Sequence, residues 1–184
     1  SERPNESVVF VEDKFDGIRA QLHRGAERVE LFSRDLRRIT NQFGEICARA
    51  RQFERELILD GEIIAFELGK KLTFFDLQKR LGRKSESADL FATPAADVPV
   101  IFVAFDLLWL EGRSLLRTPL RERRALLRSL TMPENFQVSE VSPERSAEEI
   151  ESAFQKARRR LNEGLMIKDP EQLHSGPSRF ILVQ

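Results

Sequence analysis

Apolar residues along the chain recur in two rhythms. The run Val8-Val9-Phe10-Val11 enters Glu12-Asp13-Lys14-Phe15-Asp16-Gly17, and beyond it Ile18, Ala20 and Leu22 alternate with Arg19, Gln21 and His23. Period-two alternation marks a half-buried strand, and Asp-Gly between two such runs is a strong hairpin signal. The pattern therefore predicts strand, turn, strand. Gly25-Ala26 makes the next turn, and Val29, Leu31 and Ser33 share one face of a third strand, with Glu30, Phe32 and Arg34 on the other. Leu57 to Phe66 and Val98 to Leu110 are nearly continuous apolar runs, as expected of strands covered on both sides. In the second, strict alternation puts Ile101, Val103, Phe105, Leu107 and Trp109 on one face, and Phe102, Ala104, Asp106 and Leu108 on the other.

Elsewhere the spacing is helical. Thr40 is placed to cap a helix running to about Phe53, with Phe43, Ile46 and Cys47 on one side. Lys70-Lys71 reads as a turn, Leu72 to Arg80 as a short helix, and residues 85–97 have loop composition. Thr118-Pro119 opens another helix, with Thr118 as cap; Leu120, Leu127 and Leu130 point inward, while Arg121, Arg123, Arg124 and Arg128 form a solvated face. Ser146 and Glu149 make a capping box, followed by the buried stripe Ile150, Phe154, Ala157 and Leu161, and Arg158-Arg159-Arg160 suits a helix C-terminus.

A length of 184 residues suits one domain with a substantial core, and an apolar share of 41% with a charged share of 33% describes a soluble globular chain. Thirty basic and 30 acidic side chains cancel, so bulk charge does not announce nucleic acid, although local arginine clusters still can. Cys47 is the only cysteine, which excludes an internal disulfide and fits a reducing compartment; two histidines, His23 and His174, make a structural zinc site improbable. No signal peptide is expected from these residues, and no apolar run in them is long enough for a membrane helix.

Two stretches carry candidate chemistry. Lys14 stands alone among alternating charges, and a lysine becomes a nucleophile once a dry pocket or a nearby cation favours its neutral amine. Asp60 and Glu62 fall on one face of an otherwise apolar strand, and burying carboxylates is costly unless they are paired or meet a cation. Each stretch also has a plain structural reading, as a hairpin turn and as edge carboxylates meeting arginines.

Lys14-Phe15-Asp16-Gly17-Ile18-Arg19 resembles the Lys-x-Asp-Gly-x-Arg motif of the covalent nucleotidyltransferases, which are the ATP-dependent DNA ligases, RNA ligases and mRNA capping enzymes. Phe32-Ser33-Arg34-Asp35, Asp60-Gly61-Glu62, Phe102 to Leu108 and Glu163-Gly164-Leu165-Met166-Ile167-Lys168 resemble the family's later motifs in order. Phe75 to Lys84, with its basic end at Lys79, Arg80, Arg83 and Lys84, looks like bacterial and archaeal ATP-dependent DNA ligases. No Gly-x-x-x-x-Gly-Lys-Ser/Thr phosphate loop is present.

The resemblance implies an α+β, ATP-grasp-like adenylation domain spanning residues 1–184, with antiparallel sheets around a nucleotide groove and helices outside. It implies that Lys14 attacks the α-phosphate of ATP to form a lysyl-AMP adduct. Glu12 would accept from the adenine amine, and Phe105 would stack on the purine. Arg19 and Arg34 would hold ribose and phosphates, Lys168 would neutralise phosphate charge, and Glu62 and Glu163 would bind Mg²⁺, with Glu62 also near the ribose. Strict alternation puts Glu163 and Lys168 on opposite strand faces, so Glu163 is expected at the strand's start. The implied partner is nicked duplex DNA, and the implied setting is a monomeric enzyme of DNA repair, replication or recombination in the bacterial cytoplasm, at the nucleoid. Family members continue with a Lys-x-Lys strand and an oligonucleotide-binding (OB-fold) domain. Here Ser178 to Gln184 ends the sequence with no lysine after Lys168, so the last motif is expected to be cut or degenerate and the OB-fold domain to lie outside these residues. Two alternatives share the pattern: an RNA ligase or capping-type nucleotidyltransferase, and an inactive module that grips nucleic acid through arginines.

Overall fold

The computed structural model describes residues 8–67, 70–78, 98–160 and 162–174. Residues 1–7, the basic end at 79–84, the stretch 85–97, Leu161 and the final residues to Gln184 lie outside the described residues.

The chain builds two sheets. The larger runs β3 (Val29–Ser33), β2 (Ile18–Arg24), β4 (Leu57–Glu67), β6 (Val100–Leu110) and β7 (Arg113–Ser114), with β5 (Lys70–Lys71) added to β4 and β8 (Phe136–Val138) to β6. The smaller runs β10 (Gly164–Lys168), β1 (Val9–Lys14) and β9 (Val141–Glu144). Every pairing is antiparallel except β6 with β8. Helices α1 (Gly44–Ala50), α2 (Leu120–Arg128) and α3 (Ala147–Arg159) lie outside, an α+β arrangement. No helix among the described residues is long and apolar enough to cross a membrane.

The inward residues of β2, β3, β4 and β6 form the main core with Phe43 and Ile46 beneath and Leu127 of α2. A second cluster joins Val11 and Leu165 to Ala157, Ile150 and Phe154, so the stripe of α3 covers one face of the small sheet. The capping box of α3 is present: Glu149 N–H donates to Ser146 Oγ and Ser146 N–H to the Glu149 carboxylate, both at 3.2 Å. On the other face of the large sheet, Ile64, Ile101 and Val103 pack with Phe15 and Phe66.

Several sequence expectations are corrected. The Asp16-Gly17 turn does not close a hairpin, because β1 pairs with β9 and β10 while β2 pairs with β3 and β4; the turn carries the chain from one sheet to the other. The face assignment along β6 fails beyond Val103, because the register with β4 skips Phe105 and then Leu108, the count expected of β-bulges. Each skip reverses the alternation, so Leu107 joins Phe102 and Ala104 in the main core. Lys70-Lys71 is a short strand against Phe66 and Glu67, not a free turn.

Thr40 does not cap a helix. Its hydroxyl accepts from Leu31 N–H at 3.0 Å, and a single 3₁₀ turn precedes the shorter α1. Thr118 does not cap α2 either. Pro119 takes that position, and the free N–H groups of Leu120 and Arg121 donate to the carbonyls of Gln172 (3.0 Å) and Pro170 (2.9 Å), so backbone satisfies donors that a side chain usually meets. The outward arginine face divides. Arg123 and Arg124 are buried. Arg123 forks onto Asp106 through Nε (2.8 Å) and Nη2 (2.9 Å), a bidentate geometry that compensates the desolvation of both charges. Burial pushes the Asp106 carboxyl up, but its hydrogen bonds with His174 and Arg123 win and hold it below its usual value.

Gly61 is fixed by packing. A Cβ there would lie 2.4 Å from the Phe102 ring and 2.5 Å from the Val103 carbonyl oxygen. Gly61→Ala is expected to destabilise the protein by about 1–3 kcal/mol through overpacking. The check is equilibrium urea unfolding, with a lowered midpoint at unchanged slope.

Candidate active site

A groove of about 410 Å³ lies where the two sheets face each other, and Glu12, Lys14, Arg19, Arg34, Glu62, Phe105, Glu163 and Lys168 all line it. Local geometry explains the convergence. On β1, residues two apart share a face, so Glu12 and Lys14 look into the groove while Val11 packs under α3. The crossover then lays Gly17 against β4, where an added Cβ would stand 2.3 Å from the Ile63 carbonyl oxygen and 2.9 Å from Glu62 Cγ. Only glycine permits that approach, and the Gly17 N–H is a donor to the Glu62 carboxylate.

The Lys14 ammonium pairs with the Glu163 carboxylate, and both side chains are partly open, at 34% and 42%. Glu163 N–H also donates to the Lys14 carbonyl at 3.2 Å, one residue before β10 begins. Glu163 therefore escapes the strand's alternation and shares the groove with Lys168.

Deeper in the groove, Glu12 is 2% exposed. Its Oε1 accepts from Arg124 Nη1 (3.2 Å) and from the Ser139 hydroxyl, and its Oε2 accepts from the Lys168 ammonium. Lys168 Nζ stands 5.0 Å from the centroid of the Phe105 ring, and the Arg19 guanidinium carbon 5.7 Å from it, both within cation–π range. Arg19 bonds both oxygens of buried Asp60, at 3.3 and 2.8 Å. Arg34 lies exposed just past β3.

Glu62 stands directly across from Arg19 in the β2–β4 register. Burial pushes its carboxyl up to about 8; Arg19 and the Gly17 N–H pull against this, and the Asp60 and Asp16 charges add to it. Asp16 is also raised, by burial first and then by Glu163. Asp16 and Glu62 thus hold their protons more tightly than free carboxyls, and a bound cation would favour their charged forms. No group of three or more His, Cys, Asp or Glu among the described residues is placed to hold a metal ion unaided. A pair of hard carboxylates fits Mg²⁺, which keeps waters and takes substrate phosphate oxygens for its remaining positions.

Four residues that support groove-lining side chains were not identified from sequence: Arg124 and Ser139 around Glu12, and Lys71 with Asn162 behind Asp13. Lys71 Nζ donates to Asn162 Oδ1 (3.0 Å), and Asn162 Nδ2 to Asp13 Oδ2 (2.8 Å). Burial lowers the Lys71 ammonium, with the Asp16 and Glu163 charges opposing. No periodicity marks these residues, because each acts through a partner distant in sequence.

Two curled antiparallel sheets, with a lysine and carboxylates in the cleft between them, define a ligase-type nucleotidyltransferase domain. The ligase domain of M. tuberculosis LigD superposes with a TM-score of 0.71 at 26% identity, over 92% of this chain and 50% of that one. A mycobacterial DNA ligase D complexed with ATP and MES gives 0.72, also at 26% identity and the same coverages. A probable DNA ligase of Opitutus terrae is 42% identical over 191 residues, matching 88% of this chain and 18% of its own length. A probable DNA ligase of Koribacter versatilis is 43% identical over 184 residues, matching 87% of this chain and 31% of its own length. The family model for the ATP dependent DNA ligase domain matches residues 2–179. The chain belongs to the ATP-dependent DNA ligase domain family, and it spans less than a third of the length of each of these two relatives.

The raised Glu62 carboxyl has a thermodynamic consequence. The folded protein holds this proton to about pH 8, the unfolded chain only to its ordinary value of 4.5. Between those limits the folded state binds more protons, so the Glu62 contribution to stability is present at low pH and is lost as pH rises toward 8. Urea midpoints across that window are expected to fall less steeply in Glu62→Gln than in wild type.

Proposed function

We propose that this chain carries the adenylating step of a DNA ligase, with Lys14 as the nucleophile that ATP labels. The observation that carries the reading is the meeting of Lys14, Glu62 and Glu163, from three distant parts of the chain, in one groove beside Glu12 and Phe105.

The base of ATP stacks on Phe105, with its exocyclic amine toward Glu12. The amine is a donor and the carboxylate accepts; the 6-oxo group of guanine would set lone pairs against lone pairs. Arg19, Arg34 and Lys168 offer positive charge to the ribose phosphate chain. Lys14 must lose a proton before it attacks. Its ammonium is a third exposed, so water reaches it and can carry the proton away. The amine then adds to the α-phosphorus; a P–N bond forms, the α–β bridging P–O bond breaks, and pyrophosphate leaves with the electron pair. Mg²⁺ held by Glu62 and Glu163 supplies charge neutralisation to the phosphates when bound. Transfer of AMP to a nick 5′-phosphate, and sealing by the 3′-hydroxyl, belong to the whole protein, with nicked duplex DNA as partner. Full-length members carry an OB-fold domain for that work, and the enzyme acts as a monomer at the bacterial nucleoid.

Incubation with α-labelled ATP and Mg²⁺ is expected to give an acid-labile adduct heavier by one AMP. Lys14→Ala is expected to lose it, and GTP to label far more weakly. An adduct that persists in Lys14→Ala would place the nucleophile elsewhere. The 184-residue chain alone is expected to label slowly and to seal no nicks.

A further inference from the structure

We propose that Arg124, which touches no nucleotide itself, is the positioning residue for purine recognition, because one buried guanidinium ties the carboxylate of Glu12 to the backbone of Phe105. The inference rests on the adenylation reading above, in which those two residues meet the base.

Arg124 reaches from α2 behind the groove and is 4% exposed. Its Nη1 donates to the Phe105 carbonyl at 2.9 Å, to Ser139 Oγ at 2.8 Å and to Glu12 Oε1 at 3.2 Å, and its Nη2 donates to the Ser139 carbonyl. Phe105 is the first of the two residues that the β4–β6 register skips. Its carbonyl receives from Arg124 a donor that an uninterrupted ladder would have supplied, and the bulge is held with its ring in the groove. Ser139 lies between β8 of the large sheet and β9 of the small one, and its N–H donates to Ala104 at 2.9 Å, one residue from Phe105. The same guanidinium therefore fixes the ring, the carboxylate and the sheet crossing.

The consequence for recognition lies in the two oxygens of Glu12. Each carboxylate oxygen accepts about two hydrogen bonds. Oε1 is filled by Arg124 and Ser139, whereas Oε2 receives Lys168 and has capacity for one further donor. A 6-amino group supplies that donor, and a 6-oxo group does not. Filling Oε1 sets the angle at which Oε2 meets the base, so selection between the two is set from behind by Arg124 and Ser139. An arginine suits this task because its planar fork reaches several acceptors at once, which a lysine ammonium at that depth does not reproduce.

The test measures the initial rate of lysyl-AMP or lysyl-IMP formation by the full chain against ATP and ITP, whose bases differ in the 6-amino and 6-oxo groups. Variants are Arg124→Lys and the milder Ser139→Ala, which removes one donor to Glu12 and leaves the backbone carbonyl in place. Ser139→Ala is expected to raise KM for ATP about tenfold, the effect of one hydrogen bond to a charged group, with kcat nearly unchanged and ITP little affected. The ATP-over-ITP preference then falls about tenfold; Arg124→Lys shifts it further in the same direction and also lowers Tm. If Arg124→Lys fails to fold, Ser139→Ala decides. A folded Ser139→Ala variant with an unchanged preference, or an equal loss for both nucleotides, overturns the assignment while adenylation stands. A wild-type chain that forms no adduct with either nucleotide overturns the adenylation reading and this one with it.

Discussion

At Gly17 the backbone lies against β4 with no room for a side chain, and the placement of the groove depends on that contact. Lys14 ends one sheet, and Ile18, four residues later, begins pairing in the other. So short a crossover forces the end of β1 to face the middle of β4, where Glu62 stands. The Gly17 N–H then stabilises the carboxylate that the same approach desolvates. The second crossing, at Ser139, is held by the Arg124 guanidinium in the same way, through hydrogen bonds in place of side-chain bulk. Among the described residues the chain thus crosses between the sheets at these two points, and the candidate residues collect beside them.

Charge in the groove is divided by depth. At the inner end Glu12 is matched by Lys168 and Arg124, and Asp60 by Arg19, so those carboxylates are compensated within the protein. Nearer the crossover, Glu62 and Asp16 are raised by burial and by their neighbours' charges. The inner end is chemically complete and suited to a neutral, hydrogen-bonding base. The outer end gathers carboxyl groups that a cation, with the phosphates it accompanies, would bring to their charged form. A chain with zero formal net charge attains this polarity by arrangement alone.

Much of the framework was legible from the residues. Alternation located β2 and β3, and apolar runs located β1, β4 and β6, because both patterns are local properties of sequence. The Ser146 capping box was legible for the same reason: donor and acceptor are three residues apart. What was not legible depended on distant partners. Thr40 and Thr118 look like caps in sequence, but a strand N–H and the carbonyls of Gln172 and Pro170 settle those termini instead. Arg123 and Arg124 fall on the face that hydropathy assigns to water, yet Asp106 and Glu12, 17 and 112 residues away, draw them inside. The bulge at Phe105 was equally hidden, since a skipped register is a property of two strands. The Lys-x-Asp-Gly-x-Arg resemblance reached the groove residues because a short linear word happens to span the crossover.

The backbone seal at the start of α2 has a mechanical corollary. With Leu120 and Arg121 bonded to the segment that follows β10, the helix bearing Arg124 and the strand bearing Lys168 are joined through backbone, and both project onto Glu12. The opposite rim is tied by side chains, through Lys71, Asn162 and Asp13. The two rims are thus closed by different means, backbone hydrogen bonds on one side and a relay of side chains on the other.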